Sequence, residues 1–136
     1  MSDDNFKIEI SAVDTESGLN LCRGNRKIYI QSLRLFAANM PVTLDKMRNV
    51  TESNLKDYLT SVHSLKGMCD YIGAKETRKT AKQLEDMAGA GNLSGILERN
   101  VDFIRHTEKI IANIQTWLDN NSKIIDAMFN TEQNNG

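Results

Sequence analysis

The sequence predicts an all-α protein: an antiparallel up-down-up-down four-helix bundle with a short preceding N-terminal helix. Three observations support this fold class. Apolar residues recur at three- and four-residue steps over several long stretches, which is the spacing of one helix face. The chain has a single proline and few β-branched alternations. The connections between the periodic stretches are mostly short, as in antiparallel bundles.

Length and charge limit the classes of protein. A chain of 136 residues has the length of a single domain and can bury its own hydrophobic core. Its formal net charge is −1, and acidic and basic residues are interspersed along the chain. The charge pattern therefore does not indicate binding to nucleic acid or to an anionic membrane. No apolar run approaches the ~18 residues of a membrane span, and no signal region opens the chain. Cys22 and Cys69 lack metal-site spacing and fit a reducing cytoplasm.

The N-terminal part predicts a loose segment and a short helix. Residues 1–12 are polar, and we expect them to be loosely ordered. Asp14 is a candidate N-cap for a helix over residues 15–22, which Gly24 ends.

A long second helix begins at Arg26 with Asn25 as its cap. Pro41 lies inside it, so either a break or a kinked continuation to about Arg48 is expected. Its apolar face is formed by Ile28, Leu33, Phe36, Ala37 and Met40.

The third helix carries the most informative residues. Thr51 or Ser53 can cap it, and Gly73 ends it. At about 100° per residue, one apolar sector comprises Leu55, Tyr58, Val62, Leu65, Cys69 and Ile72. His63 lies roughly 120° away from the middle of that sector, so we expect its imidazole to face solvent.

Two further long helices complete the predicted bundle. The fourth runs from about Lys75 to Ala90 and buries Thr77, Ala81, Leu84 and Ala88. Ser94 is the expected cap of the fifth, whose apolar stripe comprises Leu97, Val101, Ile104, Ile111, Ile114 and Leu118, widened by Phe103, Ile110 and Trp117. We place the bundle at residues 13–119. The extension 120–136 is expected to be partly helical or disordered, with disorder from Thr131.

His63 shares one flank of the third helix with Leu59, Lys66, Gly67 and Asp70. These residues lie three, four or seven positions from the histidine, so they fall on the same face. A glycine within a helix costs roughly 1 kcal/mol relative to alanine, which suggests that the space above the imidazole must stay clear. Lys66 places positive charge close to the ring. The alternative interpretation is a surface histidine beside an unrelated lysine and a tolerated glycine.

The run from His63 to Ala74, HSLKGMCDYIGA, resembles the phosphoacceptor helix of histidine-containing phosphotransfer (HPt) domains. The similarity continues downstream at Ala81, Leu84, Glu85 and residues 88–92, and upstream at Gly18-Leu19, Arg23-Gly24, Tyr29 and residues 33–36. It spans about Val13 to Thr116. A histidine followed by Lys-Gly alone would be weak evidence, but this extended match is specific.

The resemblance implies roles for individual residues. His63 would accept the phosphoryl group, Lys66 would neutralise its charge, Gly67 would give steric clearance, and Glu85, 22 positions after the histidine, would orient the imidazole. An ordinary surface carboxylate paired with Lys82 or Arg78 is the alternative for Glu85.

Partner contacts are expected at Leu59, Asp70 and Met68, although Met68 fits the core equally well. A second histidine, His106, has no potential metal ligand at a spacing typical of metal sites, and we expect its side chain to be solvated.

The resemblance also implies a phosphoryl carrier. We expect it to be cytoplasmic and without a cofactor, and to bind no nucleotide, since the sequence has no P-loop and no Gly-rich ATP lid. It would take the group from a receiver-domain aspartate, and its partners would be response-regulator receiver domains or a hybrid histidine kinase. Magnesium would belong to the receiver. Because the polar faces of the predicted bundle all look solvated, we expect the chain to be a monomer. Two alternatives remain open: a phosphotransfer domain of a chemotaxis-type kinase, and a helical adaptor that binds receivers without chemistry.

Overall fold

The computed structural model describes residues 6–134. Their elements in chain order are α1 (Thr15–Leu21), α2 (Arg26–Met47), a 3-10 turn (Glu52–Asn54), α3 (Leu55–Ile72), α4 (Lys75–Gly89), α5 (Leu93–Asn120) and α6 (Ser122–Asn134). These residues contain no strand, so the all-α class is confirmed. Helix α3 packs against α2 and α4, and α5 packs against the same two helices. The four long helices therefore enclose one hydrophobic core.

Most helix boundaries follow the capping residues. The side chains of Asp14 and Asn25 each accept a hydrogen bond, 3.1 Å long, from the backbone N–H three positions later. Helix α2 continues through Pro41. The expected cap of α5 was wrong: Asn92, not Ser94, is the N-cap, and its side-chain Oδ1 accepts a hydrogen bond from the Gly95 N–H. Ser94 lies inside the helix, which begins at Leu93.

Buried hydrogen bonds tie the ends of the helices together. The hydroxyl of Tyr29, at the start of α2, donates to the carbonyl oxygen of Ile72 at the end of α3 (2.7 Å). The hydroxyl of Tyr58 donates to Asn100 Oδ1 on α5 (2.8 Å), and Asn100 Nδ2 donates to the carbonyl oxygen of Met47 at the end of α2 (2.8 Å). Because buried polar groups are costly unless paired, these bonds specify how α2, α3 and α5 pack.

The predicted apolar faces need two corrections. On α5, Leu97 and Val101 are exposed (55% and 57%), because the buried face is rotated toward Asn100 and Thr107, polar residues whose hydrogen bonds let them enter the core. On α2, Ile28 is also exposed (49%).

The N-terminal segment is packed rather than loose. Ile8 and Ile10 are buried, and the Phe6 ring stacks on Trp117 with 5.9 Å between centroids. Phe6, Ile8 and Ile10 occur at every second position, a spacing that would place them on one face of an extended segment. Residues 1–5, also expected to be loose, lie outside the described residues.

The C-terminal helix is longer than expected. Helix α6 runs to Asn134 and buries Ile125 and Met128 against the core. The disorder expected from Thr131 is therefore wrong for residues 131–134, and residues 135–136 lie outside the described part.

Candidate functional site

His63 stands at the surface of α3, on the side that faces α4. Its side chain is 69% exposed, whereas five of the six residues in the predicted apolar sector of α3 are buried and Leu55 is half-buried. The helical periodicity thus separates the imidazole from the core, as the sequence predicts. Nothing in the fold requires a histidine here for packing.

Glu85 on α4 contacts both polar side chains of this part of α3. Its Oε2 makes a short hydrogen bond with His63 Nδ1, and its Oε1 accepts a hydrogen bond of 2.7 Å from Lys66 Nζ. The Glu85 side chain is only 14% exposed and the Lys66 side chain 17%. The carboxylate therefore bridges the imidazole and the ammonium across the α3–α4 interface.

The charge state of Glu85 follows from these contacts. The hydrogen bond from the Lys66 ammonium, and more weakly the bond with His63, lower the pKa of Glu85 below its ordinary value of 4.5, against the opposing effect of burial. Glu85 is therefore ionised at neutral pH. An ionised carboxylate only accepts hydrogen bonds.

The imidazole tautomer follows from the same argument. Because Glu85 can only accept, Nδ1 of a neutral His63 must carry the proton, which leaves the lone pair on Nε2. A positioned neutral imidazole with an exposed ring is a competent nucleophile near pH 7. The site therefore presents one defined nitrogen to an incoming electrophile.

Gly67 lies one turn after His63, on the same flank. A Cβ built on Gly67 would meet no atom within 4 Å, so the fold does not require glycine at this position. Gly73 differs, since it has φ +84° and a Cβ there would collide with the backbone of Asp14. No packing contact among the described residues therefore compensates for the free-energy cost of a glycine inside α3 at this position.

The remaining predicted residues occupy different surroundings. Asp70 forms an ion pair with Arg78 on α4 (2.5 Å). Lys82 pairs with Asp86 (2.7 Å), so neither basic residue considered for Glu85 is its partner. Leu59 and Met68 are half-buried and pack against the core. His106 is exposed on α5.

An open groove adjoins the site at Gly67. It encloses about 630 Å³ between the end of α1, the start of α2 and α3, and its lining residues are Leu21, Cys22, Arg23, Ile28, Ser32, Gly67, Asp70 and Tyr71. Three of them are exposed apolar side chains, namely Leu21 (64%), Ile28 (49%) and Tyr71 (60%). Sequence reasoning missed this groove because Ile28 fits the periodic face of α2 and was assigned to the core.

Two features are absent from the part of the chain that the structure describes. No helix among residues 6–134 has the length and apolar character needed to cross a lipid bilayer. No group of three or more His, Cys, Asp or Glu residues in that range is arranged to hold a metal ion.

Comparison with known families identifies the class of protein that this helical fold and histidine site define. The model of the Hpt domain family matches residues 31–117, and the chain belongs to that family. Hpt domains carry phosphoryl groups on a histidine in phosphorelays, where they interact with receiver domains and kinases, and they are phosphoryl carriers rather than classical enzymes. Comparisons with curated proteins and with solved structures gave no match.

Proposed function

We propose that His63 is the phosphoacceptor of this Hpt domain, and that it takes a phosphoryl group from a receiver-domain aspartate and passes it to a response regulator. The observation that carries this proposal is the exposed imidazole whose Nδ1 is bonded to Glu85. That bond occupies Nδ1 and leaves Nε2 of the exposed ring as the nitrogen available for transfer. We also propose that residues 13–119 form the antiparallel up-down-up-down bundle, since the start of α2 meets the end of α3 at Tyr29 and Ile72.

The transfer step follows from this geometry. The Nε2 lone pair attacks phosphorus, the bond from phosphorus to the aspartyl oxygen breaks, and the donor leaves as a carboxylate. The proton stays on Nδ1, so the phosphorylated ring carries positive charge beside the Glu85 carboxylate. Because phosphoryl transfer depends mainly on positioning and charge, an ionised partner at Nδ1 favours the product.

Lys66 acts through Glu85 in this proposal. Its ammonium is bonded to Glu85 Oε1, and its side chain is mostly buried. The contact fixes the carboxylate rotamer and keeps the carboxylate charged. Lys66 is therefore a positioning residue, which revises the direct contact with phosphoryl oxygens that the family resemblance implies.

The function is tested by incubating the chain with receiver domains that carry an aspartyl phosphate. We expect a labelled chain whose label is lost in acid and stable in base, as a phosphoramidate is. Label from none of the receivers, with the chain folded, would favour a receiver-binding adaptor without chemistry.

Gly67 provides a separate prediction. Gly67→Ala should stabilise the protein by about 0.5–1 kcal/mol in denaturant unfolding, because the new methyl group meets nothing. Gly67→Gln should also fold, yet slow transfer from a receiver by roughly tenfold or more, because its side chain occupies the approach to His63. Phosphoramidate, a small donor, should label both variants at the wild-type rate. Unchanged receiver transfer in Gly67→Gln would contradict the clearance argument.

A further inference from the structure

We propose that Gly89, the last residue of α4, determines which phosphorylated receiver domains can transfer to His63. This inference rests on the proposed function and names a specificity-determining residue of the same site. Gly89 does not touch the reacting atoms. It leaves the surface of α4 without a side chain beside the imidazole, so that a protein donor can come close to the helix backbone there.

Most glycines among residues 6–134 are required by the fold. Two are required by packing. A Cβ on Gly18 would collide with the Tyr29 ring. A Cβ on Gly95 would lie 2.6 Å from the side chain of Asn92, the N-cap of α5. Three more have a positive φ, which other residues rarely adopt, namely Gly24 (+76°), Gly73 (+84°) and Gly91 (+72°).

Two glycines in this range, Gly67 and Gly89, have neither property. Neither has a positive φ, and a Cβ built on either would meet no atom within 4 Å. Gly67 follows His63 by four positions on α3, and Gly89 follows Glu85 by four positions on α4. Each member of the imidazole–carboxylate pair is therefore followed, one turn later, by a glycine that packing does not explain.

The contacts between α3 and α4 place Gly89 near the imidazole. Asp70 contacts Arg78, and His63 contacts Glu85, so positions rise along α4 as they fall along α3. Arg78, Glu85 and Gly89 are seven and four positions apart and share one face of α4, the face turned toward α3. The two unexplained glycines consequently lie on opposite sides of the imidazole along the α3–α4 seam.

The chain reversal after α4 does not need glycine at position 89. Gly91 supplies the left-handed conformation there, and Ala90 is the C-cap of the helix, with φ −88° and ψ 0°. Gly89 itself is helical and exposed. A larger side chain at this position is therefore compatible with the fold and would project over the seam.

A protein donor covers this position, whereas a small donor does not. Specific protein interfaces cover about 800 Å² on each partner, far more than one imidazole. A receiver domain that brings its aspartyl phosphate to His63 therefore also covers the neighbouring turn of α4. Bulk at position 89 would exclude receivers whose surface needs that space, which is how steric clashes create specificity.

The test compares three variants of the full chain. Gly89→Gln adds bulk, whereas Gly89→Ala removes the flexibility of glycine and adds only a methyl group. Ala112→Gln is the matched control, because Ala112 is an exposed small residue within α5, which carries neither His63 nor Glu85. Each protein is given two donors: the receiver aspartyl phosphate that labels the wild-type chain fastest, and phosphoramidate.

We expect Gly89→Gln to raise KM for the phosphorylated receiver about tenfold, equivalent to 1.4 kcal/mol, and to leave phosphoramidate labelling unchanged. Gly89→Ala and Ala112→Gln should transfer like the wild-type chain. An unchanged KM in Gly89→Gln, or an equal rise in Ala112→Gln, would overturn the proposal. An equal rise in Gly89→Ala would also overturn it by assigning the effect to backbone flexibility, and equal slowing with phosphoramidate would do so by indicating that Glu85 is displaced.

Failure of this proposal is distinguishable from failure of the site. If phosphoramidate labels His63 but bulk at position 89 does not alter transfer from a receiver, the phosphoacceptor stands and the specificity proposal is wrong. If neither donor labels His63, the proposed function itself is wrong.

Discussion

Replacing His63 with Gln should reduce phosphoryl transfer to background. The substitution removes the Nε2 nucleophile while glutamine stays compatible with an exposed helical position. Because the His63 side chain is 69% exposed, its loss should change the free energy of unfolding by less than about 1 kcal/mol. Labelling from a phosphorylated receiver and from phosphoramidate should disappear together, since both donors need the same nitrogen.

The second histidine provides the matched control. His106 is exposed on α5, and His106→Gln should retain full labelling. Label that persists in the His63→Gln chain, or that disappears in the His106→Gln chain, would assign the phosphoacceptor elsewhere.

Glu85→Ala should give the second largest effect. We expect phosphoramidate labelling to slow by roughly 10–100-fold, the range found when a group that orients a metal-binding histidine is removed. Without the carboxylate, the imidazole loses both its fixed tautomer and the negative charge beside the phosphorylated ring. Glu85→Gln should recover part of the rate, because an amide oxygen still accepts from Nδ1–H but carries no charge. Equal rates in the wild-type and Glu85→Ala proteins would contradict the orienting role.

A double-mutant cycle separates the two possible roles of Lys66. If Lys66 acts through Glu85, Lys66→Met should slow labelling in the wild-type background and add nothing in the Glu85→Ala background. If the ammonium contacts the phosphoryl group directly, the two effects should add. Lys82→Met is the control, because it breaks an exposed ion pair of the same length, with Asp86 on α4.

The pH dependence of stability tests the same carboxylate. The folded pKa of Glu85 lies below its ordinary value of 4.5. Its stabilising contribution is therefore complete above about pH 4.5 and is lost as the pH falls through the lower, folded pKa. Unfolding experiments should show the stability difference between the wild-type protein and Glu85→Gln shrinking with acidification in that range.

Periodicity and capping rules predicted most of the fold. They placed His63 outside the core and gave the buried residues of α4 correctly, because apolar spacing decides which face a helix buries. They failed for Leu97 and Val101, because Asn100 and Thr107 enter the core through hydrogen bonds, and a hydropathy pattern contains no information about such partners. The packing of Ile8 and Ile10 depends on contacts with distant residues and was likewise not predicted.

The places of the candidate site residues on their helices follow from the sequence, but the contacts between those residues do not. Helical spacing places Lys66 and Gly67 on the flank of His63, whereas the orienting role of Glu85 is implied by the family resemblance. That Lys66 bonds to Glu85, and that Leu21 and Ile28 border a groove at Gly67, are properties of helix packing. No local pattern in the chain specifies them.

The central claim is that Glu85 holds the proton on Nδ1 and leaves Nε2 of His63 to react. NMR spectroscopy of the phosphorylated chain with ¹⁵N-labelled histidine tests it directly, because coupling to ³¹P identifies the nitrogen that carries the phosphoryl group. We expect the coupling at Nε2 of His63. Phosphorylation at Nδ1, or on any residue other than His63, would contradict the account.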